Sequence, residues 1–216
     1  MTSFEEHNQQ CAVTLLGNLV AKPEIRYLAN PVLAVTDITL ATTHKWLDKK
    51  SGATKEWTSY HNIKAVGRIV ESALQQANKG DVIFVQGYIA NNKQQPLEIV
   101  HATAIEHFAK SYTNAINQVI CSATICSNVQ LITTEHNKQM ATFDVTISHQ
   151  VYSEHKQKLV THQISRPVHV WGKQALYVHK NAAFDQSIII EGKLAYANNN
   201  TRSQFLEAIQ VHLLKK

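Results

Sequence analysis

No apolar run in this chain approaches the roughly 20 residues that a membrane-spanning helix needs. The opening M-T-S-F-E-E-H-N-Q-Q has neither a positive n-region nor an apolar h-region. Together these absences lead us to expect a cytoplasmic protein, neither exported nor membrane-bound. Cysteine is scarce: Cys11, Cys121 and Cys126 make an odd count, with neither zinc-knuckle nor C-x-x-C spacing. They read as buried reduced thiols rather than a disulfide framework. The 12 histidines are scattered, with no H-x-x-x-H or H-E-x-x-H helix and no cysteine at ligand spacing, so no metal site is expected. Gly172-Lys173 and Gly192-Lys193 are the only G-K pairs, and both lack a glycine-rich loop. Nucleophile motifs and paired acidic residues are missing too. Neither a cofactor nor an enzymatic activity is expected.

What is present is an ordinary globular composition. The chain has 216 residues, 44% of them hydrophobic, enough for one large or two small domains. The net charge is +5. Divided at Lys110, the first part has 11 Lys+Arg against 10 Asp+Glu, and the second has 10 against 6. Such charge does not by itself identify a nucleic-acid partner. Its placement says more. The runs V-T-D-I-T-L-A-T-T-H-K-W and W-T-S-Y-H-N-I-K-A-V-G flank a loop with Lys45, Lys49, Lys50 and Lys55. Trp46 stands at one end of that loop, Trp57 and Tyr60 at the other. Cations beside flat rings are what holds a single strand, by phosphates and by bases.

Taken in order, the first half gives strands from Cys11, from Leu33 to Thr43 and from Trp57 to Val66, with Pro23 outside any central strand. Ile69, Val70, Ala73, Leu74 and Ala77 then recur at helical spacing, and Gly80 is placed to end that helix. D-V-I-F-V-Q-G-Y-I-A and L-E-I-V-H-A-T-A-I follow as strands around the turn N-N-K-Q-Q-P. Three strands, a helix and two strands is the order of the OB-fold, a five-stranded Greek-key barrel. After the polar segment A-K-S-Y-T-N-A-I-N the plan repeats. Asp144 answers Asp37, Gly172 answers Gly67 and Gly192 answers Gly87. The expectation is an all-β chain with one short helix per domain: two tandem OB-folds, over 1–110 and 111–216.

The first half resembles the bacterial single-stranded DNA-binding protein family. L-L-G-N-L, P-E-I-R-Y, I-T-L-A-T-T-H-K-W-L-D-K-K-S-G, K-E-W-T-S-Y-H, V-G-R and K-G-D-V-I-F-V-Q-G-Y-I carry the likeness from Cys11 to His107. In the second half W-G-K, I-I-E-G-K-L and the element order remain. The resemblance implies single-stranded DNA wrapped on OB domains, in replication, repair, recombination or transfer. It also implies four pooled domains, hence a homodimer of this chain. Trp46 matches the family tryptophan after the second strand, and Tyr60 replaces another on the third. Val66 stands where the family stacks a phenylalanine, and Trp171 holds that position in the second copy. Tyr152 falls one residue short of the Trp46 position. The family's long hairpin is cut to N-N-K-Q-Q-P and its acidic tail is absent, so no tail-mediated recruitment of partners is expected. Those departures resemble the primosomal replication protein offshoot, or plasmid and phage relatives.

Strand parity sorts these residues. His61, Ile63 and Ala65 share one face, Tyr60, Asn62, Lys64 and Val66 the other. Arg166, Val168 and Val170 share a face opposite Ser165, Pro167, His169 and Trp171. His61 reads as packing at a barrel edge or protomer interface. The stacking set is Trp46 and Tyr60, with Trp171 and Tyr152 from the second copy; Trp57 is open between stacking and covering the barrel. Lys45, Lys49, Lys50, Lys55, Arg26, Lys64, Lys156 and Lys173 are the phosphate candidates, with Arg68, Lys158 and Arg166 behind them. Trp46, Tyr60 and the lysines between them are expected to form one binding surface. The rival readings are an interaction module of a primosome, conjugation or phage assembly, RNA binding, and a second domain that mainly dimerises.

Overall fold

The structure, a computed structural model, describes residues 9–49, 51–91, 98–111, 114–134, 137–198 and 203–215. The chain forms two compact units. One is Val13–Asn117 with Glu154–Lys156; the other comprises Met1–Ala12, Gln118–Ser153 and Gln157–Lys216.

The first barrel is built from β1 (Cys11–Leu19), β2 (Arg26–Ala29), β3 (Val32–Leu47), β4 (Thr54–Val66), α1 (Arg68–Ala73), β5 (Val82–Asn91) and β6 (Glu98–Phe108). Alternation of apolar and polar residues makes the long strands two-faced, with alternate positions buried, as in Val13, Leu15 and Leu19 of β1, whereas the short β2 buries none. Closure comes from β1, which pairs with β5 through Val13–Asn18 and turns onto β3 at Asn18↔Ala41 and Leu19↔Leu40. β6 completes the ring, antiparallel to β5 and parallel to β4 at Ile63↔Val100.

The second barrel repeats this with β7 (Ile116–Ile125), β8 (Gln130–Thr133), β9 (Gln139–Ser153), β10 (Lys158–Trp171), α2 (Lys173–Asn181), β11 (Ser187–Tyr196) and β12 (Gln204–Leu213). Again β7 closes on β9 at Thr124↔Thr146, and β10 lies parallel to β12 at Val168↔Leu206. Both units are OB barrels with one helix each, as the sequence pattern indicates. Among the described residues no helix is long and apolar enough to cross a membrane.

The repeated glycines have structural reasons. Gly67 and Gly172 cap the two helices at φ 80° and φ 64° with ψ −151° and −132°, backbone geometry that a β-carbon disfavours. Gly87 and Gly192 sit at β-bulges, where the register shifts between Gln86/Gly87 and Glu191/Gly192. A β-carbon there would run into the backbone carbonyl of His101 or Glu207.

Five details differ from the sequence expectation. Of the three thiols expected to be buried only Cys121 is; Cys11 is half-buried and Cys126 exposed. α1 ends at Ala73, not near Gly80. Leu74 and Ala77 are buried by a turn, and Gly80, at φ 91°, donates its N–H to the Leu19 carbonyl at 2.9 Å instead of capping a helix. Asp81 anchors that turn. Its carboxylate accepts the Asn78 N–H and His107 Nε2, both at 2.8 Å, and these bonds hold its pKa below the ordinary value. The short β2 and β8 have no counterpart in the sequence expectation; each adds a hairpin partner to the following long strand. His61 lies inside the barrel wall, fully buried, with Nε2 2.8 Å from Thr42 Oγ1. Arg166 is buried too, at 1% exposure, so it is no phosphate ligand. Its guanidinium donates to Gln204 Oε1 at 3.1 Å and to the Ser165 carbonyl at 2.8 Å.

Two outcomes follow from this packing. Gly87→Ala and Gly192→Ala each lower stability by about 1–3 kcal/mol, through forced displacement in a closed barrel; a urea midpoint equal to the parent's contradicts the bulge argument. Burial lowers the His61 pKa from 6.5 to about 4. Between those values the unfolded chain binds a proton that the folded chain refuses, so stability falls as pH drops from about 6.5 towards 4. The interval is worth roughly 3 kcal/mol. His149, lowered to about 4 first by burial and then by His162, acts with the same sign in the second barrel. His61→Gln flattens part of this dependence; parallel urea-midpoint curves for parent and variant between pH 4 and 6.5 refute the assignment.

Candidate nucleic-acid interface

β3 and β4 are paired residue for residue from Val35↔Val66 to Leu47↔Thr54. The strands therefore run further than the lysine-rich composition suggests, β3 to Leu47 and β4 from Thr54. Gly52 at φ 67° donates to the Asp48 carbonyl at 2.8 Å, and the Asp48 N–H donates to the Ala53 carbonyl at 2.9 Å. Lys45, Trp46, Lys55 and Trp57 are strand residues, not loop residues. Lys49 is exposed in the turn, and Lys50 lies outside the described residues.

Directly opposed residues of an antiparallel pair share a face. One face of this ribbon carries Leu40/His61, Thr42/Ser59, His44/Trp57 and Trp46/Lys55; the other carries Asp37/Lys64, Thr39/Asn62, Ala41/Tyr60, Thr43/Thr58 and Lys45/Glu56. Trp46 and Tyr60 therefore belong to opposite faces, and the single surface expected from sequence is two. On the first, burial ends at Thr42 and His61. Beyond them His44 stacks on Trp46 with ring centroids 6.2 Å apart, and Trp57 is 64% exposed. On the second, exposed Tyr60 leads to a groove of about 730 Å³, lined by Arg26, Tyr27, Asp37, Asn62, Lys64 and Val66 among others.

The cations are partly engaged. Lys45 pairs with Glu56 at 3.5 Å, Lys55 with Asp48 at 2.6 Å and Arg26 with Asp37 at 2.8 Å. The Arg26–Asp37 and Lys45–Glu56 pairs are largely exposed, so each is worth about 0–1 kcal/mol and a phosphate can displace the carboxylate; Asp48, at 20% exposure, holds Lys55 more closely. Sequence reasoning missed Tyr27 and His44. Tyr27 lies in the unrecognised β2; His44 was visible two residues before Trp46, the i, i+2 relation of one strand face.

In the second unit, β9 and β10 pair from Lys158↔Ser153 to Trp171↔Met140. Tyr152, opposite Leu159, shares a face with Trp171, opposite Met140. It thus occupies the outer face, as Tyr60 does, whereas Trp46 lies on the other. A one-residue offset in a strand always has this effect. Tyr152 donates its hydroxyl to Gln157 Oε1 at 3.0 Å, and Trp171 is 40% exposed at the far end of the ribbon. Between them His169 packs on Phe205 at 4.2 Å between ring centroids, and burial lowers its pKa. Lys156 and Lys173 are exposed, in the β9–β10 turn and at the start of α2. Among the described residues no group of three His, Cys, Asp or Glu could hold a metal ion.

Two crystal structures of the single-stranded DNA binding protein from Thermus aquaticus resemble the chain. The wild-type structure aligns with a TM-score of 0.76 at 22% identity, over 97% of this chain and 95% of that one. A deletion mutant aligns with a TM-score of 0.78 at 22% identity, over 97% and 96%. At such identity the likeness is one of fold, a tandem pair of OB barrels. The pattern described as "Single-strand binding protein family" matches residues 11–113 and again 116–212. Matched twice and over nearly its whole length, the chain belongs to the single-strand binding protein family.

Proposed function

We propose that the protein binds single-stranded DNA with little sequence preference. Bases stack on Trp46, Trp57 and Tyr60 in the first domain and on Tyr152 and Trp171 in the second. Phosphates meet Lys45, Lys49, Lys50, Lys55, Arg26 and Lys64, then Lys156 and Lys173. The observation that carries this reading is the β3–β4 ribbon: beyond Thr42 and His61 one face bears exposed Trp46 and Trp57 beside Lys55, and the other bears exposed Tyr60 and Lys45. Ring faces accept any base, which is why such a surface is tolerant of sequence. The protein works without catalysis in the cytoplasm, in replication, repair, recombination or transfer. Its domains divide between 110 and 111, and two chains pool four barrels as a homodimer.

A second reading, an assembly module that touches DNA only weakly, draws on the three ion pairs, which leave fewer cations for phosphate. Titration separates the two. Labelled oligo-dT quenches tryptophan fluorescence at low salt. Trp46→Ala, Trp57→Ala and Tyr60→Ala each weaken binding by about 1–3 kcal/mol, roughly 5- to 150-fold. The slope of log affinity against log salt is about −0.7 per phosphate contact. No quenching, a preference for duplex, or unchanged affinity in all three variants would sink the DNA-binding reading. Oligo-U competing as well as oligo-dT would reassign the ligand to RNA. Light scattering checks the association: twice the 24.3 kDa chain mass is expected, and a monomer at micromolar concentration refutes the dimer.

A further inference from the structure

The two helices differ where the two barrels otherwise agree. Both start from an equivalent glycine and both seat themselves with small apolar residues, Val70 and Ala73 in α1 and Ala175 and Val178 in α2. Counted from those glycines, Arg68 answers Lys173, Glu71 answers Leu176, Ser72 answers Tyr177 and Gln75 answers Lys180. Glu71 and Ser72 suit a helix face turned to water. Leu176 and Tyr177 do not, yet they are 45% and 47% exposed. Ala175 and Val178 are fully buried without them, so anchoring of α2 does not explain the change.

Lys173, Leu176, Tyr177 and Lys180 fall at i, i+3, i+4 and i+7, which makes one stripe along the helix. Two apolar side chains are thus bracketed by two cations, and α2 contains no acidic residue. The lysine positions are seven residues apart, about 10 Å at 1.5 Å rise per residue. An extended peptide spans the same length, about 10 Å, in three residues. Carboxylates at i and i+3 with apolar residues between them therefore complement the stripe in charge, spacing and polarity.

We propose that this face of α2 docks an acidic peptide segment of a partner protein, one that presents aliphatic or aromatic side chains between its carboxylates. A nucleic-acid strand fits less well. Bases stack on rings, and Leu176 offers none, whereas a peptide's apolar side chains use both Leu176 and Tyr177. The inference stands apart from the β3–β4 ribbon and does not require the DNA-binding reading; it shares Lys173 with that reading, so the test variants leave Lys173 unchanged.

The probe is a fluorescein-labelled peptide D-D-L-F-D-D, followed by anisotropy with the full-length protein at low salt. Saturable binding is expected. It weakens at least tenfold in Leu176→Glu/Tyr177→Ser, which carries the residues of the sister helix, and about threefold or more in Lys180→Gln. The peptide K-K-L-F-K-K is not bound, and oligo-dT affinity is unchanged in every variant. If the double variant loses cooperative urea unfolding, Tyr177→Ser alone takes its place. The proposal is overturned by any of four results. These are no saturable binding of D-D-L-F-D-D, equal binding by the helix variant, loss of oligo-dT affinity in that variant, or a drop in its oligomeric state. The third would assign the face to nucleic acid and the fourth to a second copy of this chain.

Discussion

Barrel closure is the constraint on which the rest of each unit depends. A five-stranded sheet leaves two open edges unless one strand pairs on both sides. β1 does this in the first unit and β7 in the second, each offering most of its length to one neighbour and its last residues to the other. The sheet bends sharply enough only where a residue can be omitted from the ladder and a side chain from the crossing. Thr103 and Ile209 are the residues left out of the ladder, and Gly87 and Gly192 beside them leave out the side chain. Because closure uses only the barrel-side half of β3 and β4, and likewise of β9 and β10, the remainder of each ribbon is free of that task. The candidate DNA surface is that remainder.

Where the ribbon leaves the barrel, the same parity takes on a new meaning. Up to Thr42 and His61 the inner face of β3–β4 is core, and a neutral, buried imidazole bonded to a threonine hydroxyl closes the last layer. One pair further on, the same face is open to solvent and carries His44 and Trp57. A period-2 structure leaves no intermediate choice: each added residue lies with the core stripe or against it. The two copies show the consequence. Trp46 extends the core stripe outward, whereas Tyr152 extends the outer one, although their positions differ by a single residue.

Much of this was legible in the sequence, for stated reasons. Element order, the matched glycines and the split of His61, Ile63 and Ala65 from Tyr60, Asn62 and Lys64 all follow from periods of 2 and 3.6 and from residues that only glycine replaces. What was hidden depended on pairing across the chain. Lys45, Lys55 and Glu56 look like loop residues because charged residues are poor strand formers; their cross-strand partners hold them in the ladder. Arg166 looks like a surface cation because a buried one needs partners distant in sequence, here Gln204, which no local pattern reveals. α1 stops short because Leu74 and Ala77 are buried by a turn, which gives the same apolar spacing as another turn of helix.

The electrostatics of the first domain then decide what the site relies on. Three of its named cations already have carboxylate partners, and that half of the chain is close to neutral. Exposed pairs of this kind are weak, so exchanging a carboxylate for a phosphate gains little beyond the release of counterions. On the proposed reading, the sequence-tolerant part of the affinity comes mainly from the rings, whose stacking does not depend on displacing a partner. In the second domain the balance reverses: fewer rings extend from the barrel, while the excess of basic residues is larger. On the proposed reading, the first domain relies mostly on stacking and the second mostly on charge. The two barrels share a fold because closure demands it, and they differ in the parts that closure leaves free.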